Sequence, residues 1–398
     1  MAYIPRQIET KIRQLVRSFP SVAVTGPRQS GKSTLLINTL KSFKYVTLDD
    51  PLTREQAVSD PRFFLDSAGE RSIIDEIQYA PKLLSYIKMY IDKHREKKGI
   101  YVFTGSQQFN MIKDLGDTLA GRIALLDLLP FSVNEKKKSV GLGTTLDYFV
   151  HAALTGSYPE LVVDKGIDIQ SWYGSYIRTY LERDIRSIYN IGSLRDFQRF
   201  MRLLAGRCSQ VLNLSDFAKD LGVSVPTIKS WLSILEASRI IYSLPPYYNN
   251  LGKRIIRAPK LYFLDIGIVC YLTAIRDRHH LLQGPMAEAL FENFCLQEII
   301  KRFFNRGLIP QLYYLRTSNN LEIDLLIEGP ARSLLPVEFK LSRTPSLHMG
   351  ANISRFRKLF SPLNIRKGLV ISLTNKNIPL SSEITSVNLD DFLEGMPE

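Results

Sequence analysis

The segment Gly26-Pro27-Arg28-Gln29-Ser30-Gly31-Lys32-Ser33-Thr34 stands between the apolar run Val22-Ala23-Val24 and the helix-like run Leu35-Leu36-Ile37. Two glycines bracketing four residues and leading into Lys-Ser let backbone N–H groups wrap a polyphosphate at a helix N-terminus. The pattern predicts a strand, a loop and a helix in that order, and a bound nucleoside triphosphate, ATP foremost. Gly26, Pro27, Arg28, Gln29, Ser30, Gly31, Lys32, Ser33 and Thr34 are the expected cradle. Within it Lys32 reaches the β and γ phosphates and Ser33 ligates Mg²⁺.

An NTPase core needs further groups at fold-determined distances. In Ser72-Ile73-Ile74-Asp75-Glu76-Ile77-Gln78 a short apolar strand ends in two acids. Asp75 takes the Mg²⁺ role and Glu76 the general-base role, polarising the water that attacks the γ-phosphate. Gly99-Ile100-Tyr101-Val102-Phe103-Thr104-Gly105-Ser106 is a second buried-strand pattern with a small polar end. Ser106, with Thr104 as the alternative, is placed to hydrogen-bond the attacking water, unless these residues only cap the strand. Arg122, in Leu119-Ala120-Gly121-Arg122, is either an arginine finger acting on a neighbouring subunit's nucleotide or a structural ion-pair partner. Arg183 competes for the finger role and has an intrahelical pair as its own alternative.

In this order and spacing, Gly26 to Ser33, Tyr45-Val46-Thr47-Leu48-Asp49-Asp50, Ile74 to Gln78, Thr104-Gly105-Ser106-Gln107 and Leu119 to Arg122 carry a family resemblance. The chain resembles the prokaryotic AAA-type (AAA+) P-loop ATPases that pair this core with a C-terminal domain of unknown function. Tyr180-Leu181-Glu182-Arg183-Asp184-Ile185 and Ala289-Leu290-Phe291-Glu292-Asn293-Phe294 extend the likeness over nearly the whole length. It implies ATP and Mg²⁺ as cofactors, and the fingers above imply a homo-oligomer, a dimer or a ring up to a hexamer.

Beyond Phe131 strand and helix no longer alternate. Leu214 to Ser224 running into Val225-Pro226-Thr227-Ile228-Lys229-Ser230-Trp231-Leu232-Ser233-Ile234-Leu235-Glu236 is a helix-turn-helix pattern, with Gly222 as the turn, Ser224 as the cap and Pro226 in the first turn. Residues 244–251 and 260–264 are the expected strands of a wing carrying Lys253, Arg254 and Arg257. Thr227, Lys229, Ser230 and Ser233 would face DNA, although such units also serve as protein contacts. In the last third, Leu321-Glu322-Ile323-Asp324 is followed by Leu335-Pro336-Val337-Glu338-Phe339-Lys340. Alternation puts Glu338 and Lys340 on one strand face. With Asp324 and a helical acid, Glu292 or in reserve Glu288, they resemble the metal site of restriction-endonuclease-like nucleases. The same acids are open to a reading as a surface pair network, and the fold to one as a binding module.

The expected architecture is therefore α/β: a P-loop parallel-sheet core over 1–133, a helical lid over 134–205, a winged helix over 206–275, and a restriction-endonuclease-like α/β domain over 276–398. At 398 residues several domains are expected. The 52 lysines and arginines exceed the 39 acids, giving a net charge of +13. In an ATPase that balance makes nucleic acid the first partner to consider. Cys208, Cys270 and Cys295 read as reduced thiols, and the absence of a long apolar run or an apolar leader predicts a cytoplasmic protein without membrane contact. Two functions follow. The chain is an ATPase acting on duplex or branched DNA, or a regulatory switch in which ATP turnover changes the grip on a protein partner.

Overall fold

The computed structural model describes residues 3–105, 118–181, 194–247 and 256–396. Ser106, Arg183, Lys253 and Arg254 lie outside the described residues. Five short strands form one parallel sheet: β1 (Ser21–Thr25), β2 (Lys44–Thr47), β3 (Ser72–Asp75), β4 (Tyr101–Thr104) and β5 (Ile123–Asp127), in the order β2-β3-β4-β1-β5. The three central strands are buried along their whole length, as a parallel sheet covered on both faces requires. Alternation sorts the packing. Val22 and Val24 meet α1 (Glu9–Ser18) and α2 (Lys32–Thr39), while Ala23, Ile74 and Phe103 meet α3 (Pro51–Ser59), α4 (Pro61–Ala68) and α5 (Leu83–Lys93). Asp50 and Asp60 each cap a helix whose first residue is proline, so two consecutive helices start where the sequence writes a start signal.

After β5 the chain enters α6 (Val133–Val140), whose N-terminus is a complete Ser132/Glu135 capping box, then α7 (Thr145–Leu154), α8 (Pro159–Val163) and α9 (Ile169–Tyr176). A π-helical turn, Ile177–Leu181, extends α9. The helices α10 (Leu194–Gly206), α11 (Leu214–Leu221) and α12 (Val225–Ala237) precede a hairpin of β6 (Ile241–Leu244) and β7 (Lys260–Phe263). The helix-turn-helix signals are where the sequence puts them. Gly222 ends α11 in the left-handed region at φ 69°, and Ser224 caps α12 by accepting from Thr227 N–H. β6 stops at Leu244, because Pro245 and Pro246 have no N–H to continue its ladder, while β7 falls on the expected 260–264; residues 248–251 of the expected first strand lie outside the described residues.

The last segment packs α13 (Ile266–Leu272), α14 (Arg278–Gln283) and the long α15 (Ala287–Asn305) against a six-stranded mixed sheet. Its strands are β8 (Leu312–Arg316), β9 (Glu322–Gly329), β10 (Ser333–Phe339), β11 (Gly368–Ile371), β12 (Ile378–Ser381) and β13 (Ile384–Val387). β8, β9 and β10 form an antiparallel meander, α16 (Ala351–Leu359) crosses over, and β11 returns parallel to β10, before α17 (Leu389–Gly395) closes the chain. No helix among the described residues is long and apolar enough to cross a membrane.

Segments 134–205, 206–275 and 276–398 share one contiguous hydrophobic core. Phe149 of α7, for example, meets Phe291 and Phe294 of α15 with ring centroids 5.5 and 5.6 Å apart. All three cysteines are buried thiols.

A chain of buried polar contacts fastens this body to the parallel sheet. Glu298 on α15 accepts from Val133 N–H at 2.7 Å, and Lys301 donates to Glu298 at 2.7 Å and to the Phe131 carbonyl at 3.1 Å. Neither side chain is more than 1% exposed. Lys301→Met therefore strands a buried carboxylate, and urea unfolding is expected to show a loss of about 3–5 kcal/mol.

Candidate functional site

The loop between β1 and α2 has the backbone that its glycines allow. Gly26 sits at φ 138°, where a Cβ would lie 2.2 Å from the Leu128 carbonyl oxygen, and Gly31 caps α2 at φ 89°. Lys32 is 6% exposed and its ammonium donates to the carbonyls of Gly26 and Pro27, so it lies across the loop. Arg6 fixes the loop from outside. Its guanidinium pairs with Glu135 at 3.0 Å and donates to the carbonyls of Ser30 at 3.0 Å and Leu129 at 2.7 Å. On the other side Tyr176 donates to the Arg28 carbonyl at 3.5 Å, and Pro159 comes close to Gly31.

Because β4 lies between β1 and β3, Thr104 is set between the loop and Asp75 at the carboxyl ends of the strands, where open α/β sheets bind ligands. Ser33 Oγ is 2.9 and 3.0 Å from the two Asp75 oxygens, Tyr45 donates to Asp75 at 2.6 Å, and the Thr104 hydroxyl also donates to it. Burial, then Asp75, pushes the Tyr45 phenol up to about 12, so it remains a donor. Glu76 follows in a left-handed conformation at φ 58°, its N–H donating to Thr104 at 3.3 Å and its carboxylate accepting from Gln78. Ser33 and Asp75 are thus already together and fit a Mg²⁺ ion, which would supply charge neutralisation between the β and γ phosphates. Arg6 and Tyr176 carry no motif and are missed by sequence reasoning, and Tyr45 belongs to a resemblance segment but has no role assigned to it there.

Arg122 lies at the start of β5, the end of the sheet remote from the loop, and forks onto Asp92 with contacts of 2.8 and 3.1 Å. Arg257 is described, but Arg183 and Ser106 are outside the described residues.

Lys136 is buried beside the loop and donates to Ser157 Oγ at 3.0 Å, while Ser157 N–H donates to Asp265 at 2.8 Å. Burial, then the neighbouring Lys301, lowers the Lys136 ammonium to about 8.

Two surface features flank the site. Arg178, Arg202 and Arg276 line a cleft of about 440 Å³ with Tyr271, and none of the three is ion-paired with a described residue. Arg178 is two residues from Tyr176, the phosphate-loop contact. On α12, Lys229 and Ser233 are exposed and Thr227 and Ser230 half-buried. At the end of α12, Arg239 donates to Asp127 at 2.7 Å, and Asp127 accepts from Thr25, the residue before Gly26, at 2.6 Å.

The C-terminal acids do come together, but around ammonium groups. Lys260 of β7, its side chain 4% exposed, is 2.9 Å from Glu292, 2.8 Å from Glu322 and 3.8 Å from Asp324. Lys340 pairs with Glu338 at 2.9 Å and Asp324 at 3.9 Å. Glu288 accepts from Leu341 N–H at 3.0 Å. Burial, less an opposing pull from Lys260, raises Glu292 to about 7, and burial with Asp324 alongside raises Glu338 well above the carboxylate range. Burial alone would lower Lys260; Glu292, Tyr262, Asp324 and Glu322 hold it well above the usual lysine value.

Among the described residues no group of three or more His, Cys, Asp or Glu side chains is spaced to hold a metal ion. The carboxylate oxygens that would ligate Mg²⁺ are instead taken by the buried Lys260 ammonium. The expected metal site of Glu292, Asp324 and Glu338 with Lys340 does not fit the ion.

Residues 18–136 match the AAA domain family. The N-terminal unit is a P-loop ATPase-like domain. Residues 146–279 match the domain of unknown function DUF8612, and residues 287–392 the domain of unknown function DUF4143. Over 392 residues the chain is 28% identical to the uncharacterized proteins Rv2008c of Mycobacterium tuberculosis and Mb2031c of Mycobacterium bovis, covering 98% of this chain and 84% of each relative. Among solved structures, the Walker-type ATPase of Pyrococcus abyssi is 17% identical with a TM-score of 0.46, over 67% of this chain and 94% of that one. A Pyrococcus horikoshii signal transduction ATPase with a tetratricopeptide repeat sensor is 10% identical with a TM-score of 0.27, over 74% of this chain and 46% of that one.

The Lys136 environment in α6 carries a pH signature. Unfolded, its ammonium keeps the proton to the ordinary 10.5; folded, it releases it near 8. Between these values the unfolded chain binds more protons, so stability rises with pH, by about 3 kcal/mol across the window. Unfolding measured at intervals from pH 7.5 to 10.5 is expected to lose this component of the rise in Lys136→Met.

Proposed function

We propose that this chain is a Mg²⁺-dependent ATPase that acts on duplex or branched DNA and couples its nucleotide state to the C-terminal body. The observation that carries the hydrolytic half is the Ser33–Asp75 contact beside Glu76, at the carboxyl ends of β1 and β3. In this reading Lys32 turns to the β and γ phosphates, Ser33 and Asp75 hold Mg²⁺, and Glu76 takes the proton of the attacking water. Thr104, hydrogen-bonded to Asp75 and Glu76, orients that water, with Ser106 in the same role if it reaches the γ-phosphate. Arg122 or Arg183 of a second copy supplies the finger, which makes the active form a homo-oligomer. Of the two we favour Arg183, since Arg122 is already engaged by Asp92.

The DNA half draws on the arginine cleft, the polar face of α12 and the net charge of +13. Helices α10 to α12 with the β6–β7 hairpin are read as a winged helix. The order α15, β8, β9, β10, α16, β11, with Asp324 on β9 and Glu338 on β10, is read as a nuclease-like fold. Phosphates in the cleft would contact Arg178, one turn from the helix that touches the loop. A second reading, a switch that grips a protein partner through an inactive nuclease-like domain, is favoured by the lysine-filled acid cluster.

Glu76→Gln is expected to bind ATP normally and lose hydrolysis; a hydrolysing variant would remove Glu76 as the base. Arg183→Ala is expected to bind ATP, hydrolyse poorly, and regain turnover when mixed with Lys32→Ala. DNA is expected to stimulate hydrolysis in a salt-sensitive way. Replacing Arg178, Arg202 and Arg276 by alanine should flatten the log–log salt slope of binding by about 3. Indifference to single strands, duplex and four-way junctions alike would favour the protein-partner switch.

A further inference from the structure

Lys260 belongs to the hairpin that follows the helix-turn-helix, yet its side chain ends among carboxylates of two other elements: Glu292 of α15, and Glu322 and Asp324 of β9. Its backbone is fixed by pairing with Leu244 across the hairpin and by a bridge to Val211. The ammonium lies 6.0 Å from the Tyr314 ring centroid, and the Tyr262 hydroxyl, two residues along β7, donates to Glu292. Glu338, 1% exposed, gives one oxygen to Lys340 and has no hydrogen-bond partner for the other. The cluster is therefore buried and rich in carboxylate oxygen, with one acceptor to spare, and its resident cation is an ammonium delivered by the chain itself.

We infer that Lys260 is a built-in substitute for a divalent cation: it closes the acid cluster of the C-terminal domain and latches the β6–β7 hairpin onto α15 and β9. The domain consequently holds no Mg²⁺ or Mn²⁺ at Asp324 and carries out no metal-dependent phosphodiester cleavage there. The inference uses the nuclease-like reading only to say which ion the lysine replaces; the ion pairs stand without it. Two monodentate contacts below 3 Å from a residue whose backbone is paired in a strand make displacement by a hydrated ion unfavourable, since the ion would have to shed water and expel a buried ammonium together.

The test is Mn²⁺ binding to the full chain without nucleotide, followed by electron paramagnetic resonance, so that its result is independent of ATP hydrolysis and of DNA. The wild type is expected to show no Asp324-dependent Mn²⁺ site. Lys260→Met, uncharged and of similar length, is expected to gain one, at least about tenfold tighter than anything in the wild type, and to lose it when Asp324→Asn is added. An Asp324-dependent site in the wild type, or a folded Lys260→Met chain that gains none, overturns the inference. If Lys260→Met does not fold, amine labelling of the native wild type decides. Lys260 should stay protected relative to the exposed Lys376 with or without Mn²⁺, and labelling that accelerates when Mn²⁺ is added overturns the inference.

Discussion

A buried polar joint at residues 129–136 ties the chain beyond β5 to the parallel sheet. Arg6 and Glu135 face each other there at 3.0 Å while the same guanidinium holds the Ser30 and Leu129 carbonyls, and Glu298 with Lys301 pins Val133 and Phe131 from α15. Buried ion pairs of this kind are seldom more stabilising than apolar packing, but losing one partner is costly, which gives the joint one geometry rather than many. Its position matters more than its energy. Ser30 belongs to the phosphate loop, and Phe131 to the entry of the helical body, so the two cannot shift independently.

Two further contacts run the same way. Thr25, at the foot of the loop, is bonded to Asp127, and Asp127 to Arg239 at the end of the second helix of the helix-turn-helix. Tyr176 touches the Arg28 carbonyl, and Arg178 two residues later opens onto the arginine cleft. A nucleotide that repositions Lys32 and Ser33 therefore acts on a loop gripped from three sides, each grip leading to a different surface of the C-terminal body. That body shares one core, from Leu129 to Met396.

What was legible in the sequence follows the range of the physics. The phosphate loop was readable because glycine positions dictate backbone geometry locally, and Asp75 because a buried strand must end near the loop. The Ser224 cap of α12 was equally local. Arg6 was invisible, since its partner Glu135 lies 129 positions away and neither residue is distinctive alone. Thr104 was ranked behind Ser106, yet the strand order sets its hydroxyl against Asp75. The C-terminal acids were found by pattern, whereas the pattern gave no hint that Lys260 from another element fills them. For Arg122 the sequence allows a finger or an ion pair, and the fork with Asp92 is the feature it does not reveal.

The central claim is that nucleotide occupancy is felt beyond the P-loop domain through the joint. Hydrogen–deuterium exchange on the full Glu76→Gln chain, with and without Mg²⁺ and ATP, tests it most directly. Protection of residues 26–34 accompanied by altered exchange at 129–136 and through α9 and α12 is the predicted result. Changes confined to the parallel-sheet domain, with the joint and both helices indifferent to nucleotide, would contradict it.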